Sequence, residues 1–205
     1  MDITLTVFLV FLSYWKMEAV TVNVRGHEDG RRRGSDGMME VVRATPDHVE
    51  GICRVCADGW RATYADMCSP EYIERIIGEF YNEERVLKEV TETGRDWGGY
   101  FVAVEDGKVA GAGGGGMIGE RSGEVFVLYV APDRRNEGIG TRLLDAVTRQ
   151  QKAFGAAEQW VSVFKGNQKG IPFYEARGFV FQHEQPSHGN RDGDGYVSVR
   201  YRRWI

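Results

Sequence analysis

The segment at residues 125–154 predicts a strand, a tight loop and a helix in direct succession. Residues 125–130 (VFVLYV) are apolar and rich in β-branched and aromatic side chains, which predicts a buried strand ending before Pro132. Gly138 and Gly140 follow at the start of an amphipathic helix. The apolar face of this helix is formed by Ile139, Leu143, Val147 and Phe154. A strand followed at once by an amphipathic helix is typical of layered α/β proteins.

The apolar pattern changes near residue 100, from helical spacing before it to strand-like runs after it. Helices are predicted over residues 46–60, 69–80 and 171–177, and helical character resumes over 83–90. Strands are predicted over residues 41–44, 100–104, from 109 onward, 160–164, 179–182 and 196–201. With the segment above, the order is β-α-α-β-β-β-α-β-α-β-β. We therefore expect one α/β domain with a mixed sheet and helices on both faces.

The glycine run from Gly111 to Gly116 (GAGGGG) satisfies G-x-G-x-x-G, the fingerprint of dinucleotide-binding loops. That fingerprint has meaning only between a strand and a helix, because the helix N-terminus holds the pyrophosphate. Residues 117–124 carry no helical apolar stripe and lead into another strand. We therefore favour a strand nearly free of side chains, which lets another backbone or a ligand approach closely, over a nicotinamide or flavin site.

The loop before the helix at Ile139 has the chemistry of an anion site. A helix start exposes free N–H groups and the positive end of the helix dipole. Gly138 and Gly140 remove side chains that would hold a phosphate away, and Arg135 can add a charge-assisted contact. On these grounds alone the loop is either a phosphate site or a plain strand-to-helix turn.

This loop resembles a known cofactor motif. Arg135-x-x-Gly138-x-Gly140 is similar to the [QR]-x-x-G-x-[GA] acetyl-CoA signature of GNAT acetyltransferases, with Asn136 where many relatives have glycine. The resemblance covers about residues 39–204. It implies a mostly antiparallel central sheet, acetyl-CoA as co-substrate, no metal, and transfer of an acetyl group to an amine by direct attack in a ternary complex.

A second segment resembles the same family independently. Residues 167–179 (NQKGIPFYEARGF) are similar to its N-x-x-A-x-x-F-Y-E-x-x-G-F box, with Gly170 in place of the usual alanine. In relatives the loop amides grip the pyrophosphate, the strand edge pairs with the pantetheine arm, and the asparagine hydrogen-bonds that arm. The resemblance thus assigns cofactor binding to Leu128, Tyr129, Val130, Arg135, Asn136, Glu137, Gly138, Ile139, Gly140, Thr141, Asn167 and Tyr174.

Two residues are candidates for proton transfer. Tyr174 is expected to protonate the leaving thiolate, since a tyrosine pKa near 10 lies within about two units of a thiol's. Its alternative role is to pack a short helix beside Phe173. Glu124, at the start of the strand that enters the motif, is the best-placed general base, ahead of Glu120. A solvated strand-end charge and a base supplied by bulk-connected water are the alternatives.

The acceptor is less defined. A net charge of −4 and a pI of about 5.7 give no indication of nucleic-acid binding. Residues 71–92 hold seven glutamates against three basic residues, and residues 60–64 (WRATY) loosely resemble polyamine-acetylating members. These features favour a small cationic amine, although a peptide amine and an ordinary solvated helix face stay open. The alternative function is a CoA-binding module without turnover.

The N-terminal 38 residues are predicted to lie outside the acetyltransferase domain, which is expected at 39–205. Residues 3–15 are apolar but shorter than the roughly 20 residues that span a bilayer, and residues 25–37 are polar and glycine-rich. Met38 or Met39 is a candidate start, and a weak membrane anchor is the alternative. Three cysteines, with Cys53 and Cys56 one helical turn apart, are typical of a reducing compartment, here the cytoplasm. Dimers are common among members of the GNAT family, so the resemblance is compatible with a homodimer.

Overall fold

The computed structural model describes residues 38–205, and the predictions for residues 1–37 lie outside that part of the chain. Seven strands and five α-helices follow the predicted order, and the helical character predicted to resume over 83–90 forms a separate helix. The strands are β1 (Glu40–Arg43), β2 (Tyr100–Glu105), β3 (Lys108–Met117), β4 (Ser122–Val130), β5 (Glu158–Phe164), β6 (Val180–Pro186) and β7 (Val197–Trp204). The helices are α1 (Val49–Tyr64), α2 (Pro70–Phe80), α3 (Glu83–Thr91), α4 (Ile139–Ala153) and α5 (Gly170–Glu175).

The strands form one sheet in the order β1-β2-β3-β4-β5-β7-β6. Neighbouring strands run antiparallel except β4 and β5, which are parallel. Helix α4 supplies the crossover that a parallel connection requires. The predicted mixed, mostly antiparallel sheet is therefore confirmed.

The helices cover the two faces of the sheet. Helices α1 and α3 pack on one face, where Ile52, Val55 and Val86 are buried against Val102 and Val109. Helix α4 covers the opposite face. Its residues Ile139, Leu143, Leu144 and Val147 are fully buried. Ile139, Leu143 and Val147 are three of the four residues that the helical periodicity placed on the apolar face of this helix. Leu144 is an additional buried residue.

The glycines of β3 bring backbones and helices close together, as the sequence predicted. A Cβ on Gly111 would lie 2.9 Å from Leu143 of α4, and a Cβ on Gly116 would lie 1.9 Å from the carbonyl oxygen of Asp96. Since Cβ atoms do not approach neighbours so closely, both sides of this strand need glycine. The run therefore builds the centre of the sheet, and no helix follows it to form a dinucleotide loop.

The boundaries differ from the predicted ones mainly at the strands. Strands β5, β6 and β7 extend beyond the predicted ends, because their outer residues pair with neighbouring strands in spite of polar side chains, as in Glu158 opposite Trp204. The predicted start of α2 is confirmed, since Ser69 Oγ accepts from the amide of Tyr72 at 3.2 Å. Within residues 38–205, no helix is long and apolar enough to cross a bilayer.

Candidate active site at the gap between β4 and β5

Strands β4 and β5 pair only at their beginnings. The register joins Ser122, Glu124 and their neighbours to β5 from Glu158 to Val161, and it ends at Val125. Beyond that point residues 127–130 pair with β3 on one side, and among the described residues no strand pairs with them on the other. A wedge-shaped gap therefore opens between β4 and β5, with free backbone N–H and C=O groups of β4 along one wall.

A β-bulge at Phe126 marks the start of the gap. Val125 lies opposite Gly115 and Val127 lies opposite Gly114, so Phe126 is the extra residue. The bulge turns the strand, because Val125 packs with the α4 face whereas Val127 packs with the α1 face. In a regular strand these two residues would share a face.

The N-terminus of α4 lies at the far end of β4. The loop of residues 135–140 at this point is the anion site that the sequence predicts, and we call it the cradle. Gly138 precedes the helix with φ 80°, a left-handed conformation, and has no side chain to cap the first amides. A Cβ on Gly138 would meet nothing within 4 Å, so the space in front of the helix is open. Gly140 instead faces α5, since its Cβ would lie 3.2 Å from the ring of Phe173.

The structure explains two other residues of this loop, Asn136 and Glu137. Asn136 has φ 69°, a left-handed conformation that asparagine tolerates better than most residues and that glycine adopts freely. This explains why glycine is common there in relatives. Glu137 points its carboxylate to Arg134 at 2.7 Å, and Arg134 also pairs with Glu105 at 2.8 Å. The Glu137 side chain is thus held by a cation, and its backbone is the part that remains for the cradle.

Arg135 and Lys169 join the cradle to helix α1. The Arg135 guanidinium donates to Thr63 Oγ1 at 3.0 Å, and Lys169 Nζ donates to the carbonyl oxygen of Ala62 at 3.0 Å. Both cations therefore lie where the C-terminal part of α1 approaches the loop before α5. Sequence reasoning missed Lys169, whose only signal was its position inside the second motif.

Arg177 is a further cation that the sequence reasoning missed. Its guanidinium donates to Thr141 Oγ1 in the first turn of α4 and to the carbonyl oxygen of Phe173 at 2.7 Å. The guanidinium carbon also lies 3.7 Å from the centre of the Phe173 ring. Arg177 therefore fixes α5 against the N-terminus of α4.

Asn167 is buried and holds the start of α5. Its Oδ1 accepts from the amides of Lys169 at 3.0 Å and Gly170 at 2.8 Å. A Cβ on Gly170 would lie 2.7 Å from Asn167 Nδ2, so glycine allows close contact here and an alanine would displace the asparagine slightly. With Oδ1 engaged by the helix, Nδ2 is the end of the amide that can donate to a ligand.

Tyr174 of α5 is buried in the core beside the gap, at 8% exposure. Its ring contacts Phe173 and Phe179 edge-on, at centroid distances of 5.1 and 5.3 Å. Burial, and to a lesser extent the nearby Tyr64, raise the pKa of Tyr174 well above its usual value. The hydroxyl is protonated at neutral pH, as a general acid requires, and its raised pKa lies farther from the pKa of a thiol than that of an ordinary tyrosine.

Glu124 is buried at the closed end of the gap and forms an ion pair. Both of its carboxylate oxygens accept from the guanidinium of Arg200, one of them at 2.8 Å. The two side chains are each 11% exposed. Glu124 is therefore not the solvated strand-end charge that was its simplest interpretation, and a role as base would require one oxygen to leave Arg200.

An aromatic cluster occupies the α1 face of the open end of the gap. Its members are Trp60 and Tyr64 from α1, Tyr72 from α2, Tyr129 from β4, Phe164 from β5 and Tyr196 beside β7. Phe164 is central, with centroid distances of 4.9 Å to Tyr64 and 5.9 Å to Trp60 and to Tyr196. Burial raises the pKa of Tyr64 to about 12. The sequence singled out Trp60 and Tyr64, but only the fold brings the other four rings to them.

The acidic surplus expected over residues 71–92 is partly paired with cations. Four of the seven glutamates take part in ion pairs, which are Glu74 with Arg61, Glu79 with Arg191, Glu89 with Arg85, and Glu92 with Lys88. Arg61 and Arg191 lie outside the segment whose charges were counted. Arg75 of the segment in turn pairs with Asp194, so with these three partners included the acids still outnumber the bases by three.

Comparisons with known proteins identify the same segments. The model of the acetyltransferase (GNAT) family matches residues 60–179, more than half of the chain. The spermidine N(1)-acetyltransferase of Thermoplasma acidophilum is 29% identical over 142 residues, covering 69% of this chain and 88% of that protein. An uncharacterised N-acetyltransferase of Bacillus subtilis, YuaI, is 27% identical over 147 residues, covering 68% and 79% of the two chains.

A solved structure agrees with the fold. The PaiA N-acetyltransferase from Thermoplasma acidophilum, crystallised with coenzyme A, superposes with a TM-score of 0.69 at 26% identity, over 82% of this chain and 99% of that one. The matched family region contains the gap, the start of α4 and the segment of Asn167 and Tyr174, so the resemblance seen in the sequence is confirmed. The chain belongs to the acetyltransferase (GNAT) family and is an N-acetyltransferase that moves an acetyl group from acetyl-CoA to an amine.

Proposed function

We propose that the acceptor is a primary amine of a small, flexible cation of the polyamine type. The observation that carries this proposal is the position of the β4–β5 gap. An uncapped helix N-terminus lies at its end, and a cluster of aromatic rings lies on its α1 face. The gap can thus receive a thioester from one side and an amine from the other.

The residues on the α4 side fit acetyl-CoA, which supplies the activated thioester carbonyl when bound. The open space before Gly138 and the amides of Ile139 and Gly140 suit a pyrophosphate. Arg135, Asn136, Glu137 and Thr141 complete this loop, and Arg177 adds a cation beside Thr141. The free edge of β4 at Leu128, Tyr129 and Val130, with Asn167 Nδ2 opposite, suits the amide groups of the pantetheine arm.

Proton transfer falls to two side chains. The amine nitrogen attacks the thioester carbonyl, so that a C–N bond forms and the C–S bond breaks. Tyr174 donates its hydroxyl proton to the departing sulfur. Glu124 accepts the proton that the amine loses, after one oxygen leaves the Arg200 guanidinium. A backbone N–H of β4 near Val130 stabilises the charge on the carbonyl oxygen.

The aromatic cluster supports a cationic acceptor. Ammonium groups bind over the faces of tyrosine and tryptophan rings, with a contribution of about 0.5–2 kcal/mol. The ring centroids of Tyr72 and Tyr196 lie 4.2 Å apart, and Tyr196 is partly exposed beside the buried Tyr72. The similarity to a spermidine N(1)-acetyltransferase supports the same choice of acceptor.

The test is steady-state release of the CoA thiol over a panel of amines. Spermidine and putrescine are compared with a monoamine of similar length, amino acids, an aminoglycoside and a peptide. We expect kcat/KM to be highest for the polyamines and to fall as salt is added, because a cleft of aromatic rings and carboxylates binds cations electrostatically. Equal kcat/KM for spermidine and the monoamine would contradict the proposed acceptor. Acetyl-CoA binding without thiol release for any amine would instead indicate a CoA-binding module.

A further inference from the structure

The connection between β6 and β7, residues 187–196, folds back onto helix α2. A Cβ on Gly189 would lie 2.2 Å from Cδ1 of Ile76 in α2, which shows how closely the loop backbone approaches this side chain. Tyr72 donates its hydroxyl to Asn190 Oδ1 at 3.4 Å, and the Tyr196 hydroxyl accepts from the amide of Ser69 at 3.0 Å. The loop and the helix are therefore joined along the length of the loop.

Arg75 makes the strongest of these contacts. Its guanidinium donates to the carboxylate of Asp194 at 2.5 Å and to the carbonyl oxygen of Gly189 at 3.1 Å. The same guanidinium lies 4.9 Å from the centre of the Tyr72 ring. The side chains of Arg75 and Asp194 are only 22% and 24% exposed, so this ion pair is shielded from solvent.

Asp194 also organises the loop itself. Its carboxylate accepts from the amide of Arg191 at 2.8 Å, and its own amide donates to the carbonyl oxygen of Arg191 at 2.9 Å. Asn190 Nδ2 donates to the carbonyl oxygen of Tyr196 at 2.7 Å. One carboxylate thus closes the turn of the loop and binds it to α2 through Arg75.

We propose that Arg75 is a positioning residue for the amine acceptor. It holds the β6–β7 loop on α2 and so places the partly exposed ring of Tyr196 against the buried ring of Tyr72 in the aromatic cluster. The inference rests on the proposed function, because it assigns the amine to this cluster. It does not involve the cradle, since none of these residues contacts the loop before α4.

The experiment replaces Arg75 with methionine, which keeps the length of the side chain and removes its charge and donors. KM for spermidine is expected to rise roughly 10- to 100-fold, because a misplaced wall weakens positioning of the substrate. KM for acetyl-CoA is expected to stay unchanged, and Arg75→Lys, which retains the ion pair, should recover part of the effect. Arg191→Met is the matched control. Arg191 of the same loop pairs with Glu79 of the same helix, but its side chain is 63% exposed. The loss of this ion pair should therefore change KM for spermidine by less than about threefold.

Two outcomes would overturn the inference. One is an unchanged KM for spermidine in a folded Arg75→Met variant. The other is a rise of both KM values together, which would indicate a general structural role. Failure of the proposed function would appear earlier, as a lack of polyamine turnover in the wild type. Hydrogen exchange then still tests the attachment of the β6–β7 loop to α2 through Arg75. Arg75→Met should speed exchange of the amides of Arg191 and Asp194 but not of those in α4. Unchanged exchange at Arg191 and Asp194 would contradict this attachment.

Discussion

Gly138 and Gly155 lie at opposite ends of helix α4 and share the same backbone and the same open surroundings. Their φ values are 80° and 93°, and a Cβ on either would meet nothing within 4 Å. A substitution therefore causes the same local strain at both positions, whereas the helix dipole has opposite signs there. The same substitution at Gly138 and at Gly155 therefore distinguishes a loss of stability caused by backbone strain from an effect on anion binding.

Gly138→Asp is expected to abolish acetyl-CoA binding, because it places a negative charge where the pyrophosphate is proposed to lie. Gly155→Asp introduces the same residue at the other end of the helix and should leave the affinity unchanged. Calorimetric titration with acetyl-CoA measures both, and circular dichroism checks that both fold. Wild-type affinity in folded Gly138→Asp would rule out the cradle.

Tyr174→Phe is expected to lower kcat by roughly 10²–10⁴-fold with little change in acetyl-CoA affinity, because its proton is needed only in the transition state. Tyr201→Phe is the control, since it removes another tyrosine hydroxyl from the same buried cluster, one that donates to Glu175 at 3.1 Å. Because the pKa of Tyr174 is raised, no fall in wild-type kcat below about pH 10 should come from this residue. A wild-type kcat in Tyr174→Phe would contradict the assignment.

The Glu124–Arg200 pair can be tested for catalysis and for stability separately. Arg200→Gln leaves a buried carboxylate without its partner and should lower the free energy of unfolding by roughly 3–5 kcal/mol. Glu124→Gln combined with Arg200→Gln should recover much of that stability, because no charge is left unpaired, but it should not recover turnover. Urea unfolding and kcat measured on the same samples distinguish the two effects. Full turnover in the double variant would show that Glu124 is a structural residue only.

The three cysteines predict a loss of stability at alkaline pH. Burial, as the leading cause, raises the pKa of Cys53 and of Cys68 to about 11, and it raises the pKa of Cys56 well above its usual value. In the unfolded chain these thiols ionise near pH 8.5, so the unfolded state binds fewer protons above that pH. The contribution of these thiols to the free energy of unfolding should therefore be constant up to about pH 8 and fall toward pH 11. Cys56→Ala should flatten that slope, and an equal slope in this variant would contradict the cause.

Removal of residues 1–38 should leave folding and turnover unchanged. Strand β1 begins at Glu40, so the truncated chain retains every strand and helix described within residues 38–205. Thermal unfolding and thiol release compare the truncated and full chains. Aggregation or loss of activity in the truncated protein would show that the removed segment contributes to the domain.

The sequence predicted the parts of the site that are local in the chain. The loop from Arg135 to Gly140 and the segment of Asn167 and Tyr174 each carry their information within a few residues, because turn geometry and helix starts depend on immediate neighbours. The central sheet was also predictable, since its strands follow apolar runs. The assignments of roles to these residues stay predictions until the variants above are measured.

The parts that could not be predicted depend on pairing between distant elements. Nothing in residues 122–130 shows that pairing with β5 stops at Val125, because that depends on the register of two strands more than 30 residues apart. The Arg200 partner of Glu124 is 76 residues away in the chain. Ion pairs of this kind have no sequence signal, which is also why Arg61 and Arg191 could not be recognised as partners of Glu74 and Glu79.

The attachment of the β6–β7 loop to α2 has a consequence for exchanging segments between relatives. Arg75 and Asp194 are 119 residues apart in the sequence, yet each is the partner that the other segment needs. A chimera that receives α2 alone would present its arginine to a foreign loop, and one that receives the loop alone would leave a half-buried aspartate without a cation. Acceptor preference should therefore transfer only when both segments are transplanted together, while the acetyl-CoA half of the molecule can remain that of the host.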